Sequence, residues 1–92
     1  MYLEIVSPEA TLFSGEIESV TVPGTTGSFQ MLNNHAPIVS TLKEGIVTIS
    51  GKMDLDDSAQ NKFKKQDANT TLFEISSGTV EMRNNKLILL AD

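Results

Sequence analysis

The chain has 92 residues, 39% of them hydrophobic, a formal net charge of −5, no cysteine and no tryptophan. That is one small domain with a thin core and little room for a deep ligand cavity. The acidic balance argues against nucleic acid and anionic membrane surfaces, and the missing cysteines exclude disulfides, thiolate metal sites and cysteine nucleophiles.

The start, Met1-Tyr-Leu-Glu4, has no basic n-region and no apolar run of signal-peptide type. No stretch approaches the roughly 20 apolar residues of a membrane-spanning helix. A soluble domain is therefore expected, or one that meets a membrane only through a partner.

From there the pattern is strand-like. Leu3 and Ile5 alternate with Glu4 until Ser7-Pro8 stops the run, and Leu12-Phe13 leads to Ser14-Gly15, a turn signal. Val20 and Val22 flank Thr21 before Pro23-Gly24 closes that segment. Phe29 and Met31 share one face, with Gln30 between them. Ile38–Leu42 reads as a strand ended by Lys43-Glu44-Gly45, and Ile46-Val-Thr-Ile49 is rich in β-branched residues.

The run 52–70 is polar, with Asp54, Asp56 and Asp57 early and Lys62, Lys64 and Lys65 late. Asp57-Ser58 offers a helix cap, but Phe63, with Ala59 four residues before it, is the only apolar anchor. A long flexible hairpin connection is expected there instead. Beyond it, Phe73 and Ile75 alternate with Glu74, Val80 and Met82 with Glu81, and Asn84-Asn85 makes a tight turn. Leu87-Ile-Leu-Leu90 is apolar on both faces, which predicts a core strand. Short strands punctuated by Gly, Pro and Asn predict an all-β, two-layer antiparallel sandwich or barrel.

Val22–Val39 is the least ordinary stretch. It gathers Gly24, Gly27, Pro23, Pro37, the Asn33-Asn34 pair and the only histidine, His35. This composition predicts a rigid recognition loop between strands. His35 has no Gly-x-Ser-x-Gly elbow to serve and no second histidine with which to hold zinc, so it is read as a turn-fixing or docking residue. Gly24-Thr-Thr-Gly27 lacks the Lys-Ser/Thr ending of a phosphate loop. Asp54-x-Asp56-Asp57 lacks the glycine and the closing glutamate of a calcium loop. No catalytic residue, metal or cofactor is expected. Lys52-Met53 faintly matches the modified lysine of lipoyl or biotinyl carrier domains, which is the alternative function.

In order along the chain stand Leu3-Glu-Ile-Val-Ser-Pro8, Leu12-Phe-Ser-Gly15, Glu18-Ser-Val-Thr-Val-Pro-Gly24, Gly27-x-Phe-x-x-Leu32, Asn34-His-Ala-Pro37, Lys43-x-Gly45 and Leu89-Leu-Ala-Asp92. This series resembles the epsilon subunit of bacterial F-type ATP synthases. The resemblance implies a β-sandwich of about ten short strands in two sheets. It also implies a non-catalytic rotor subunit that binds the gamma subunit and the membrane c-ring, couples proton-driven rotation to ATP synthesis, and sits at the cytoplasmic face of the inner membrane. Carried over by position, Ser28, Phe29, Gln30 and Met31 are expected to face the c-ring, and His35, Ala36, Ile38, Val39 and Ser40 the gamma subunit. At least one of Phe29 and Met31 is expected to be core.

Three departures stand out. Gln30 replaces a common glycine, Ser77-Gly78 replaces Gly-Gly, and 52–70 is longer than usual. The sequence also ends at Asp92, where many members begin a helical hairpin that inhibits ATP hydrolysis. A form without that hairpin, and so without that inhibition, is the expectation.

Overall fold

Alternation of side chains becomes alternation of burial along most core strands, with Ser19–Gly24 buried almost throughout. A computed structural model of the chain describes residues 1–55 and 60–92. It has ten strands: β1 (Tyr2–Val6), β2 (Thr11–Glu16), β3 (Ser19–Gly24), β4 (Gly27–Leu32), β5 (Ile38–Leu42), β6 (Gly45–Ser50), β7 (Phe63–Asp67), β8 (Thr70–Ile75), β9 (Gly78–Arg83) and β10 (Lys86–Ala91). A short 3-10 turn, Gln60–Lys62, leads into β7. The cap read at Asp57-Ser58, with Asp56 and Ala59, lies outside the described residues.

Five strands in the order β2-β1-β10-β9-β5 make one layer, and β4-β3-β6-β8-β7 make the other. Strand β3 is the corner. Its first half, Ser19–Thr21, pairs with β6, while Gly24 pairs with Leu42 of β5. The two expected sheets are thus one continuous sheet curled on itself. Its ladders are antiparallel with one exception among the described residues: β1 runs parallel to β10. Neighbouring hairpins announce antiparallel pairs, but a parallel pair of first and last strands has the whole chain as its crossover and leaves no local signal.

The layers meet in one core. Leu3, Ile5, Val80, Met82, Leu87 and Leu89 come from the first, and Val20, Val22, Met31, Val47, Ile49 and Phe73 from the second. Full burial of such a side chain stabilises by roughly 1.5–3 kcal/mol. This replaces a deep cavity with a stiff interior.

Three local expectations are corrected. Gly15 is no turn: β2 runs through it, and the glycine makes room for the Phe13 ring, whose Cζ would lie 3.0 Å from a Cβ there. The connection over 52–70 contains a strand, because Phe63 stacks on Phe73 of β8 with ring centroids 4.8 Å apart and draws β7 into register. In β10, Leu87 and Leu89 are core, but Leu90 points outward and is 48% exposed. Its cross-strand neighbours there are Val6 and Thr79.

Candidate protein interface

The stretch Val22–Val39 folds as the β3–β4 hairpin, a tight turn and the first half of β5. The hairpin closes unusually near its own backbone. A Cβ on Gly24 would lie 2.7 Å from the Gly27 carbonyl oxygen and 2.9 Å from the Phe29 ring. Glycine therefore lets Phe29 fold over the hairpin end and pack against the core. Two residues on, Met31 is fully buried, at 0% exposure. The pleat then turns Ser28, Gln30 and Leu32 outward, opposite Pro23, Thr21 and Ser19 of β3. Leu32 is 56% exposed, a large apolar residue on the otherwise polar outward face of this edge strand. Gln30 stands in regular strand with no positive φ, so a side chain at this position causes no backbone strain.

After β4 the chain reverses. The His35 N–H donates to the Leu32 carbonyl at 3.1 Å, and Asn34, third in that turn, has φ 63°. Asparagine is the non-glycine residue that best tolerates this region. The His35 Nδ1 lies 2.7 Å from the Ala36 carbonyl oxygen. A carbonyl only accepts, so Nδ1 carries the proton and Nε2 is the acceptor of the neutral ring. The ring thus braces the step out of the turn, from His35 to Ala36.

In β5, Ile38 and Ser40 lie opposite Met82 and Val80 and face inward. Val39 lies opposite Glu81 and is 75% exposed. Of the expected contact residues, then, Ser28, Gln30, Ala36 and Val39 present themselves outward and His35 is half-buried. Met31 is core, and Phe29 and Ile38 are packed against it, so these three offer little outward side chain. Ser28 and Gln30 belong to the β4 layer and Val39 to the β9–β5 layer, with His35 and Ala36 on the connection between them.

Sequence reasoning missed Leu32, although the same period that buries Phe29 and Met31 turns it outward. It also missed Asn85, whose side chain reaches across from the β9–β10 turn to Asn33 and Asn34. No local pattern announces that contact.

Lys52 is exposed but sits on a segment strapped to the body. The Gly51 N–H donates to the Asn69 carbonyl at 2.8 Å, Lys65 Nζ donates to the Met53 carbonyl at 3.2 Å, and the Met53 side chain is buried. A swinging-arm lysine needs a projecting hairpin tip, and this is not one. Among the described residues no group of three His, Asp or Glu could hold a metal ion. No described helix is long and apolar enough to cross a membrane.

Residues 1–60 match the family model described as the beta-sandwich domain of the ATP synthase delta/epsilon chain. The ATP synthase epsilon chain of Chlorobaculum tepidum is 40% identical over 98% of this chain and 86% of its own length. That of Caulobacter vibrioides is 36% identical over 100% and 90%. The Campylobacter concisus epsilon chain is 35% identical over 100% of this chain, which spans 60% of that relative. Among solved structures, a chain of the Euglena gracilis mitochondrial ATP synthase (OSCP/F1/c-ring) superposes with a TM-score of 0.73 at 14% identity, covering 97% of this chain and 48% of that one. A chain of the Tetrahymena thermophila mitochondrial central stalk and c-ring gives 0.69 at 14%, covering 99% and 62%. At that identity the two structures speak for the fold.

Proposed function

The chain belongs to the ATP synthase delta/epsilon beta-sandwich family, and from that premise we propose that it is the epsilon-type, non-catalytic subunit of a rotary ATP synthase central stalk. In this reading it joins the gamma subunit to the membrane c-ring at the cytoplasmic face of the inner membrane and helps couple proton-driven rotation to ATP synthesis. The observation that carries the reading is the ordered agreement with epsilon chains across the whole strand framework, at 40% identity over 98% of the chain for one of them. The geometry supports it. A subunit that transmits torque needs a stiff body and shaped faces rather than a reactive group, and this one has a core common to both layers.

Ser28, Gln30 and the exposed Leu32 form the surface we assign to the c-ring loops. Ala36, Val39 and the His35 ring form the one we assign to gamma. The first lies on β4 and the second runs from the β4–β5 connection onto β5, so the two can meet separate partners. Val39 is the sharpest probe because a 75% exposed valine buries little of its side chain in the free fold. Val39→Asp sets a second carboxylate opposite Glu81, so it should lower stability by about 1 kcal/mol with the fold kept, and weaken binding to the cognate gamma subunit about tenfold or more, through lost apolar burial and a buried carboxylate. Thermal unfolding reads the first number and calorimetric titration the second. Failure of the unaltered chain to bind gamma would overturn the function; wild-type affinity of the Val39→Asp chain would overturn this surface.

A further inference from the structure

The turn that carries His35 is held by a residue from the far end of the sequence. We propose that Asn85 is the positioning residue of the gamma-facing loop, clasping both central residues of the Leu32–His35 turn and so setting how His35 and Ala36 meet the partner. The inference rests on the assignment of those two residues to gamma.

The clasp is bidentate. Asn85 Oδ1 accepts from the Asn34 backbone N–H at 2.7 Å, and Asn85 Nδ2 donates to Asn33 Oδ1 at 2.9 Å. One amide therefore satisfies a donor and an acceptor on adjacent residues, and only one orientation of its oxygen and nitrogen does both. Asn33 Oδ1 also accepts from the Met1 ammonium at 2.8 Å, which pairs with the Glu16 carboxylate at 3.1 Å. The loop is thus tied to the ends of β1, β2 and β10 at once.

Asn85 is itself a fixed reference. It and Asn84 hold φ of 59° and 52° in the turn between β9 and β10, the pair of positive values a two-residue hairpin turn of type I′ needs. Its carbonyl accepts from the Tyr2 N–H at 3.1 Å. The strands on either side are anchored by Met82 and Leu87, both fully buried. By contrast Asn33, Asn34, Ala36 and Pro37 are all exposed. The backbone bond from His35 to Leu32 and the brace from the His35 ring are local to the loop and do not fix it on the body. A contact surface on such a loop is defined only if something rigid holds it.

Asn85→Gly tolerates the positive φ and deletes both bonds, while Asn84→Gly alters the same turn and leaves the clasp intact. In Asn85→Gly, amide exchange at Asn34 and His35 should rise about tenfold, with Met82 and Leu87 amides still protected. Affinity for the cognate gamma subunit should fall about five- to tenfold, the worth of one or two neutral hydrogen bonds. Asn84→Gly should change neither quantity. Unchanged exchange at Asn34 overturns the clasp. Faster exchange with wild-type gamma affinity overturns the positioning role, and if Val39→Asp and His35→Ala also bind normally, the gamma assignment itself has failed. Should Asn85→Gly lose strand protection, Asn85→Asp keeps the side-chain shape and the tolerance of positive φ, replaces the Nδ2 donor by an oxygen facing Asn33 Oδ1, and so breaks one leg of the clasp with the Met1–Asn33 bond left in place. It must reproduce the loop-local exchange, or the proposal falls.

Discussion

At Gly78 the backbone of β9 passes directly against β10, and a Cβ there would run into the Leu90 carbonyl oxygen. The obstacle is backbone on a paired strand, with Gly78 opposite Ala91, so nothing nearby can swing aside. Gly78→Ala should therefore destabilise the fold by about 1–3 kcal/mol, read as a lower urea midpoint. The neighbouring position behaves differently. Ser77 stands where the family often has a second glycine, and its hydroxyl donates to the Asp92 carboxylate at the exposed chain end. Ser77→Gly should stay within about 1 kcal/mol of wild type, since exposed bonds of this kind contribute little net stability. Equal losses for the two variants would show that strand pairing, not the close approach, makes the site sensitive. The departure Ser77-Gly78 thus keeps glycine at the one position of the two where the backbone requires it.

At the scale of elements, β7 shows where reading the sequence ran out. Phe63-Lys-Lys-Gln-Asp67 has one apolar residue and no period of two, so nothing within it calls for a strand. Its register comes from Phe63 meeting Phe73, 10 positions away, with Lys64 falling opposite Leu72. The core strands were legible because their inward residues repeat every second position. Leu3 and Ile5, Val20 and Val22, Phe73 and Ile75, and Val80 and Met82 are all buried as that repeat demands. The same logic separated Ser28 and Gln30 from Met31 at the candidate interface. The Asn85 clasp and the parallel β1–β10 pair were not legible, because each joins residues far apart in sequence. We expect backbone order parameters at Lys64 and Lys65 close to those of β8, about 0.85. Phe63→Ala, which removes a stacked and buried ring, should cost about 2–4 kcal/mol and lower the order of β7 before that of β8. Order parameters below about 0.6 across Lys64–Asp67 in the unaltered chain would show that the flexible connection first expected there is the better description.

For the whole molecule, the placement of its two candidate surfaces decides how it would work as a coupler. Gln30 lies across from Thr21 on the β4 edge, and Val39 lies across from Glu81 on the other layer. They share no cross-strand neighbour, and the core between them is a single packed cluster. A body of this kind passes force from one face to the other without letting either contact alter the other's affinity. Substitutions on the two faces should then be independent. Gln30→Arg should weaken binding of a polar c-ring loop peptide and leave gamma affinity alone, and Val39→Asp should do the reverse. In the double variant the two losses should add to within about 0.5 kcal/mol for each partner. A coupling energy well above that, measured by titrating each partner with and without the other present, would mean that the connection between the layers transmits a change of shape as well as load. The Asn33–Asn85 clasp offers one route for such coupling. It ties the loop between β4 and β5 to the turn between β9 and β10. Removing it with Asn85→Gly should abolish any coupling that the titrations reveal, while persistence of the coupling would route it through the core itself.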